Sequence, residues 1–367
     1  MERFRSYRPS WRFRWVGLNT VMSTTELIEY LSITSKASLR QPLQAWMDNN
    51  HAFRTFVEKY KDKIRKKLQA NDNDYLRDVL WELEVAYLLL RNPDFTVEYE
   101  PYGVGKFRSP DYLVSRSGAD SFCVEAKKIR EGSSEAQIRA WEREMKETIR
   151  GVPSRVAVTL NIHVMQPDSD LLDQLESQRD PIKAAFRQWI VEADAQLEPK
   201  QSCCYPIVGF EGIVDIEITR PISKAKPGPT AFHIGSRPIW YKQDEYKKFS
   251  DTVCEKLGQL RSGMANVLAI GSASETHEDF DCGKAIEDLR TLAAKSDDAF
   301  FRYPSKGFEG ASDFLAQFRY LSGVVFRSSW WSNFSGRENA SRNFVWRNPQ
   351  AAQTLDDQIT QYLSEMD

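Results

Sequence analysis

An α/β fold is expected for this 367-residue chain. Three observations predict it. Short runs rich in β-branched and aromatic residues alternate with longer segments of helical spacing. The alternation continues along the chain instead of segregating into one part, as helices layered on a sheet require. Apolar residues make up 41% of the sequence, yet no run approaches the roughly 18–20 residues of a transmembrane helix. They are therefore available for a core, and the length allows two domains.

The elements follow in order. The N-terminal "MERFRSYRPSWRFRWVG" interleaves Arg3, Arg5, Arg8, Arg12 and Arg14 with Phe4, Tyr7, Trp11, Phe13 and Trp15. Arginine among aromatics can pair phosphates and stack bases; the plainer reading is an arm or edge strand docked on its own domain. The stretch lacks an apolar h-region, so it is not a signal peptide. "EKYKDKIRKKL" (58–68) is a basic helix face, and such runs are usually solvated. Residues 71–92 have helical spacing, with Leu76, Val79, Leu80, Leu83, Ala86 and Leu90 near one side. Asn71 to Asp74 offer caps and N-terminal acids, and Asn92-Pro93 ends the helix. "FTVEYEPY" (95–102) alternates as a strand should.

Next comes "SPDYLVSRSGADSFCVEAKK" (109–128). Tyr112-Leu113-Val114 and Phe122-Cys123-Val124 suit strands, and Gly118 among short polar residues is turn chemistry. A hairpin centred on Gly118 makes residues whose numbers sum to 236 face each other. Asp111 and Glu125 satisfy that sum, and directly opposed residues hold their Cβ atoms roughly 4.5–5.5 Å apart. Two carboxylates that close repel unless a cation lies between them. Alternation puts Glu125 and Lys127 on one face, and Val124, Ala126 and Lys128 on the other. Two carboxylates and an ammonium thus converge. Oxygen ligands suit Mg²⁺, which usually takes one or two carboxylates. Such an ion lowers the pKa of a bound water, and an ammonium can stabilise charge that develops on a phosphate.

Together "PD", a spacer and "EAK" resemble the signature of the PD-(D/E)XK nucleases, the restriction-endonuclease-like superfamily. In that family a helix carrying a glutamate precedes the hairpin. Two residues compete for this role. Glu82 shares a face with Val85, Ala86 and Leu89, where a carboxylate is costly without a partner; Glu84 aligns with Tyr87, Leu88 and Arg91 and has a plainer reading as a solvated charge. "ELEVA" resembles the family's helix pattern with Glu82 leading, and Glu82 is favoured. A helix over 133–151 and a strand over 154–164 then complete a restriction-endonuclease-like α-β-β-β-α-β core. The resemblance covers residues 72–164. It implies Mg²⁺ or Mn²⁺ held by Asp111, Glu125 and Glu82, with Lys127 positioning the attacking water. It also implies a nucleic-acid partner, DNA by preference, contacted by Lys106, Arg108 and Lys128. The glycines of "GVGKFRSPD" (103–111) do not make a P-loop, because no Lys-Ser/Thr follows them at the required spacing.

The remainder continues the alternation. Residues 171–197 read as a helix broken near Pro181, 205–221 as a strand or strand pair, and 222–232 as a loop or linker. Residues 244–263 read as a helix ending at Gly263, 266–273 as a buried strand and 282–296 as a helix. A second buried strand is expected over 320–331 and a closing helix over 348–366. The domains expected are an arm with helices (1–70), the nuclease-like core (71–221) and a C-terminal α/β extension (222–367). Trp330, Trp331, Phe334 and Trp346 with Arg327, Arg337, Arg342 and Arg347 fit a stacking surface or ordinary core and surface equally well. Five cysteines include no C-x-x-C pair, which argues against zinc and for reduced thiols in a cytoplasm. The four histidines lack triad or H-E-x-x-H company and are expected to be structural or surface residues. "HEDFD" (277–281) is expected to be a solvated acidic loop.

The function expected is metal-dependent hydrolysis of phosphodiester bonds by a cytoplasmic enzyme with no membrane partner; a homodimer is compatible with it. The alternatives are an inactive nuclease-fold module for binding or assembly, and a structural protein whose hairpin charges are solvated.

Overall fold

The computed structural model describes residues 22–34, 36–102, 109–118, 120–130, 133–163, 169–223, 226–235, 245–272, 279–303, 306–328 and 343–366. The arginine–aromatic N-terminus, Lys106, Arg108, His277, and the residues 330, 331, 334, 337 and 342 of the expected stacking surface lie outside the described residues.

Among the described residues five helices come first: α1 (Thr24–Tyr30), α2 (Ala37–Asn49), α3 (His51–Lys59), α4 (Lys61–Leu68) and α5 (Asn73–Leu89). Ser23 starts α1 with a reciprocal cap: its hydroxyl accepts from the Glu26 amide, and the Glu26 carboxylate accepts from the Ser23 amide. Leu27, Leu31, Leu43, Phe53, Val57 and Ile64 are buried. On the basic α4, Lys61 and Arg65 lie over the Tyr30 ring, 5.2 and 5.0 Å from its centroid. The chain divides into two compact units at Leu80/Trp81, inside α5, rather than at residue 70.

The second unit carries β1 (Phe95–Tyr99), β2 (Tyr112–Arg116), β3 (Phe122–Ile129), α6 (Ser133–Arg150), β4 (Pro153–Ser154) and β5 (Ala157–Ile162). It continues with α7 (Ser169–Ser177), α8 (Arg179–Gln196), β6 (Ser202–Pro206), β7 (Val214–Thr219), β8 (Gly228–Pro229) and β9 (Ala231–Ile234). Then follow α9 (Glu245–Leu257), β10 (Ala265–Ser272), α10 (Asp279–Ala294), α11 (Asp298–Phe301), α12 (Ala311–Phe318), β11 (Gly323–Ser328), β12 (Asn343–Arg347) and α13 (Asp357–Glu365). The break between α7 and α8 falls at Gln178. Pro181 sits in the first turn of α8, where its missing N–H costs nothing. α9 ends at Leu257, short of Gly263, and the closing helix begins only at Asp357, capped by Asp356. Asp279 and Asp281 form the acidic first turn of α10 instead of a loop.

A six-stranded sheet has the order β1-β2-β3-β10-β11-β12, and a four-stranded sheet has the order β6-β7-β5-β9. In the larger sheet β1, β2 and β3 form an antiparallel meander, β3, β10 and β11 run parallel, and β12 is antiparallel. This corrects one expectation. The strand over 154–164 does not close the core beside β3; it is β5 and pairs with β7 and β9. The strand beside β3 is β10, from beyond residue 221. The large sheet therefore joins strands from both sides of that expected boundary. The reason is burial. A strand in the middle of a parallel layer is covered on both faces and needs an unbroken apolar run. β10 is buried at every position after Ala265, whereas β5 alternates buried Val158, Leu160 and Ile162 with half-buried Thr159 and Asn161.

One face of the large sheet is covered by α9, α10 and α12, through Phe249, Val253, Ile286, Leu289, Phe314 and Phe318 against Leu268, Ile270, Val324 and Phe326. On the other face Trp81, Val85 and Leu88 of α5 line a small apolar cavity with Val124, Val267, Ala269 and Val325. Trp81 donates its indole N–H to the Ala269 carbonyl at 3.2 Å. A Cβ on Gly271 would lie 2.5 Å from the Trp81 ring, so the close approach of α5 requires glycine there. No described helix is long and apolar enough to cross a membrane.

Candidate functional site

The β2–β3 hairpin has the register its sequence predicts: Tyr112 pairs with Val124, Leu113 with Cys123 and Val114 with Phe122. Gly118 in the turn has φ +76°, a left-handed conformation that glycine adopts without strain. Continued by one residue, the register carries Asp111 opposite Glu125. Asp111 Oδ2 accepts the backbone N–H of Ala126 at 2.8 Å, which ties the start of β2 to the middle of β3.

Glu125 is only 2% exposed. Its neighbours across β10 are apolar, with Leu268 directly alongside. A carboxylate there is costly unless paired. Burial pushes the Asp111 carboxyl well above its ordinary range, and the charges of Glu125 and Glu82 push it further; the Ala126 amide and Lys256 oppose this. Burial also raises Glu125, against the pull of Lys256 and the backbone. Three carboxylates thus act on one another in a dry region.

Glu82 reaches this region from α5. The Tyr99 hydroxyl donates to Glu82 Oε2 at 2.7 Å, and the Tyr112 hydroxyl donates to the Glu82 carbonyl at 2.7 Å. The two tyrosine rings stack 5.4 Å apart. They fix both the backbone and the carboxylate of Glu82 to the hairpin. Glu84 takes another course, and its reading as a solvated charge is corrected. It is half-buried, with its Oε1 3.6 Å from Arg327 Nε. Burial raises its pKa while Arg327 and Lys128 oppose the rise. Lys128 thus acts on Glu84, whereas Lys127 Nζ lies 3.4 Å from Glu255 Oε1 of α9. The two lysines part to opposite faces of β3, as strand alternation requires.

One participant has no signal in the sequence. Lys256 of α9 places Nζ 2.6 Å from Glu125 Oε1 and 3.3 Å from Gln259 Oε1. Burial alone disfavours its charge, but Glu125, with help from Asp111 and Glu255, holds its pKa above the ordinary lysine value. Glu255 and Lys256 are adjacent on α9, and Lys127 and Glu125 are two apart on β3. The helix therefore offers the strand a charge-matched pair. Nothing local in "CEKLGQ" marks it, because the match exists only once α9 packs on β3.

The donor chemistry fits a hard divalent cation: carboxylate oxygens, more than one, with excess negative charge. Among the described residues no group of three or more His, Cys, Asp or Glu is spaced to hold a metal ion. Asp111 and Glu125 are two carboxylates, the number Mg²⁺ usually takes from a protein while keeping its waters.

Of the other candidates, Trp346 is half-buried against the core of the large sheet, Arg347 pairs with Asp357 at 2.6 Å, and Arg327 bonds the Met366 carbonyl. These three pack and tether within the second unit. His163 pairs with Asp215, and His51 lies 3.2 Å from the Thr55 hydroxyl on its own helix. All five cysteines are free. Compared with protein-family models, curated proteins and solved structures, this chain matches none.

Proposed function

We propose that the chain is a metal-dependent nuclease that hydrolyses phosphodiester bonds, with DNA as the preferred substrate. The observation that carries this reading is the pair of buried Glu125 and half-buried Asp111, opposed across one hairpin, under the charge of Glu82. A protein gains no stability from two carboxylates with raised pKa values in a dry site. A cation-dependent reaction gives them a purpose.

On this reading Asp111 and Glu125 would hold Mg²⁺ or Mn²⁺, and Glu82 completes the set directly or through water. When bound, the ion supplies an acidified water and a counter-charge for the phosphate oxygens. Lys127, two residues from Glu125 on the same strand, orients the attacking water and stabilises charge in the transition state. Lys106, Arg108 and Lys128 contribute charge for a nucleic-acid backbone. The succession α5, β1, β2, β3, α9, β10, with α6 through β9 between β3 and α9, supports this reading, because it has the α-β-β-β-α-β order that the resemblance leads one to expect.

The deciding experiment is a cleavage assay on single- and double-stranded DNA and RNA with Mg²⁺ or Mn²⁺. Cleavage that needs the ion and disappears in Asp111→Ala supports the proposal; cleavage retained at full rate in that variant would refute it. A second reading, an inactive nuclease-fold module, is favoured by the ammonium already seated on Glu125. It predicts nucleic-acid binding without cleavage under every metal.

A further inference from the structure

We propose that Lys256 is a built-in competitor for the metal, an internal cation that occupies Glu125 and must release it before a divalent ion can bind. The inference rests on the nuclease reading for the identity of the site, and it adds a regulation that this reading does not contain.

Glu125 lies beside Leu268 on β10, with Ile270 next on the same face, and the Lys256 ammonium is among the groups that stabilise its ionised form there. Lys256 supplies it at 2.6 Å, a charge-assisted hydrogen bond. The bonded oxygen, Oε1, is a donor that a metal would need. An ammonium and a divalent ion cannot both approach it closely, because like charges at a few ångströms in a dry site repel strongly.

Geometry then gives the ammonium somewhere to go. Gln259, one turn further along the chain from Lys256, accepts from the same Nζ at 3.3 Å. Releasing Glu125 leaves this bond in place, so α9 need not unfold or leave the sheet. The neighbouring pair, Glu255 with Lys127, holds the helix against the strand by a separate contact. Lys256 thus has two acceptors, one on the strand and one in the turn that follows its own helix. Metal occupancy selects between them, since an occupant that binds one arrangement better shifts the population toward it.

The test measures Mn²⁺ binding by calorimetry, without nucleic acid, on the full chain. Lys256→Met removes the ammonium at similar length. Lys256→Gln removes the charge but keeps a hydrogen bond to Glu125, and it serves if the first variant folds poorly. Lys183→Gln, which removes a different lysine that pairs with Glu144, controls for the loss of one positive charge. Both Lys256 variants should bind Mn²⁺ roughly 10–100-fold more tightly than wild type, the scale of one charge-assisted bond; the Lys183 variant should match wild type. Unchanged or weaker binding in both Lys256 variants, with wild type still binding, overturns the competitor role and leaves the nuclease reading standing. Tighter binding with no cleavage by any form supports the competition and defeats the nuclease reading. No Mn²⁺ binding by any form overturns both.

Discussion

In the four-stranded sheet the inward side chains of β5 and β7 are Val158, Leu160, Ile162, Val214, Ile216 and Ile218, all essentially unexposed. In the six-stranded sheet β3 is equally buried, yet one of its inward positions is Glu125. The smaller sheet keeps its polar groups on the other face, where Asn161 and His163 both bond Asp215. That is the arrangement expected when one face packs and the other meets water. The larger sheet is covered on both faces, and Glu125 is buried on one of them while Asp111 and Glu82 are half-buried at its edge. The hairpin charges are therefore not leftovers of an amphipathic strand. They are held in place by Lys256, the Ala126 amide and the two tyrosines that grip Glu82.

Four measurements test the contrast between the two sheets. The largest effect is on rate. Lys127→Ala should lower cleavage by on the order of 10²–10³, the usual loss for one donor to transition-state charge, while Mn²⁺ and DNA binding change little. Lys128→Ala, on the opposite face, should cut at nearly the wild-type rate; equal losses in the two would mean that strand geometry is irrelevant and only basicity counts. Next, Leu160→Ala in the smaller sheet should destabilise the protein by about 2–5 kcal/mol in denaturant titrations. Its Mn²⁺ affinity, measured on folded protein, should stay at the wild-type value, and a loss there would couple the two sheets.

Asp111→Asn should act in the opposite direction on stability. It removes one buried charge and keeps an oxygen for the Ala126 amide, so the metal-free variant should exceed wild type by about 1–3 kcal/mol at neutral pH. The pH dependence has a definite sign. The folded pKa of Asp111 lies above its unfolded value, so folded wild type binds the extra proton, and its stability falls as pH rises through that interval. The advantage of the variant should therefore be small near pH 4, about the unfolded carboxylate pKa, and should grow toward neutrality. A constant advantage would show that Asp111 does not titrate in the site. The smallest effect belongs to His163→Gln. This exposed pair with Asp215 should contribute within about 1 kcal/mol, and thermal melts at two salt concentrations measure it.

The hairpin was legible because its information is local. Register follows from the turn at Gly118 and the period-two alternation on either side, so Asp111 and Glu125 face each other without knowledge of the rest of the chain. Glu82 was separable from Glu84 by helical phase, although the Arg327 that claims Glu84 lies in the last part of the sequence and could not be paired with it in advance. The strand beside β3 is not the next long strand in the chain, because nearness in sequence does not fix nearness in the sheet. The continuous apolar run of β10 was the available signal that it, and not the alternating β5, belongs in a doubly covered layer.

The sequence by itself determined the α/β class, the boundaries of α5 and of the hairpin to within a few residues, and the opposition of two carboxylates. All of these arise from interactions between residues close along the chain. The placement of β10 beside β3, the packing of α9 on the Glu125 face and the pairing of Lys256 with Glu125 arise only in the folded chain. Such pairings depend on long loop closures and on the match of whole surfaces, and no single stretch of chain contains them.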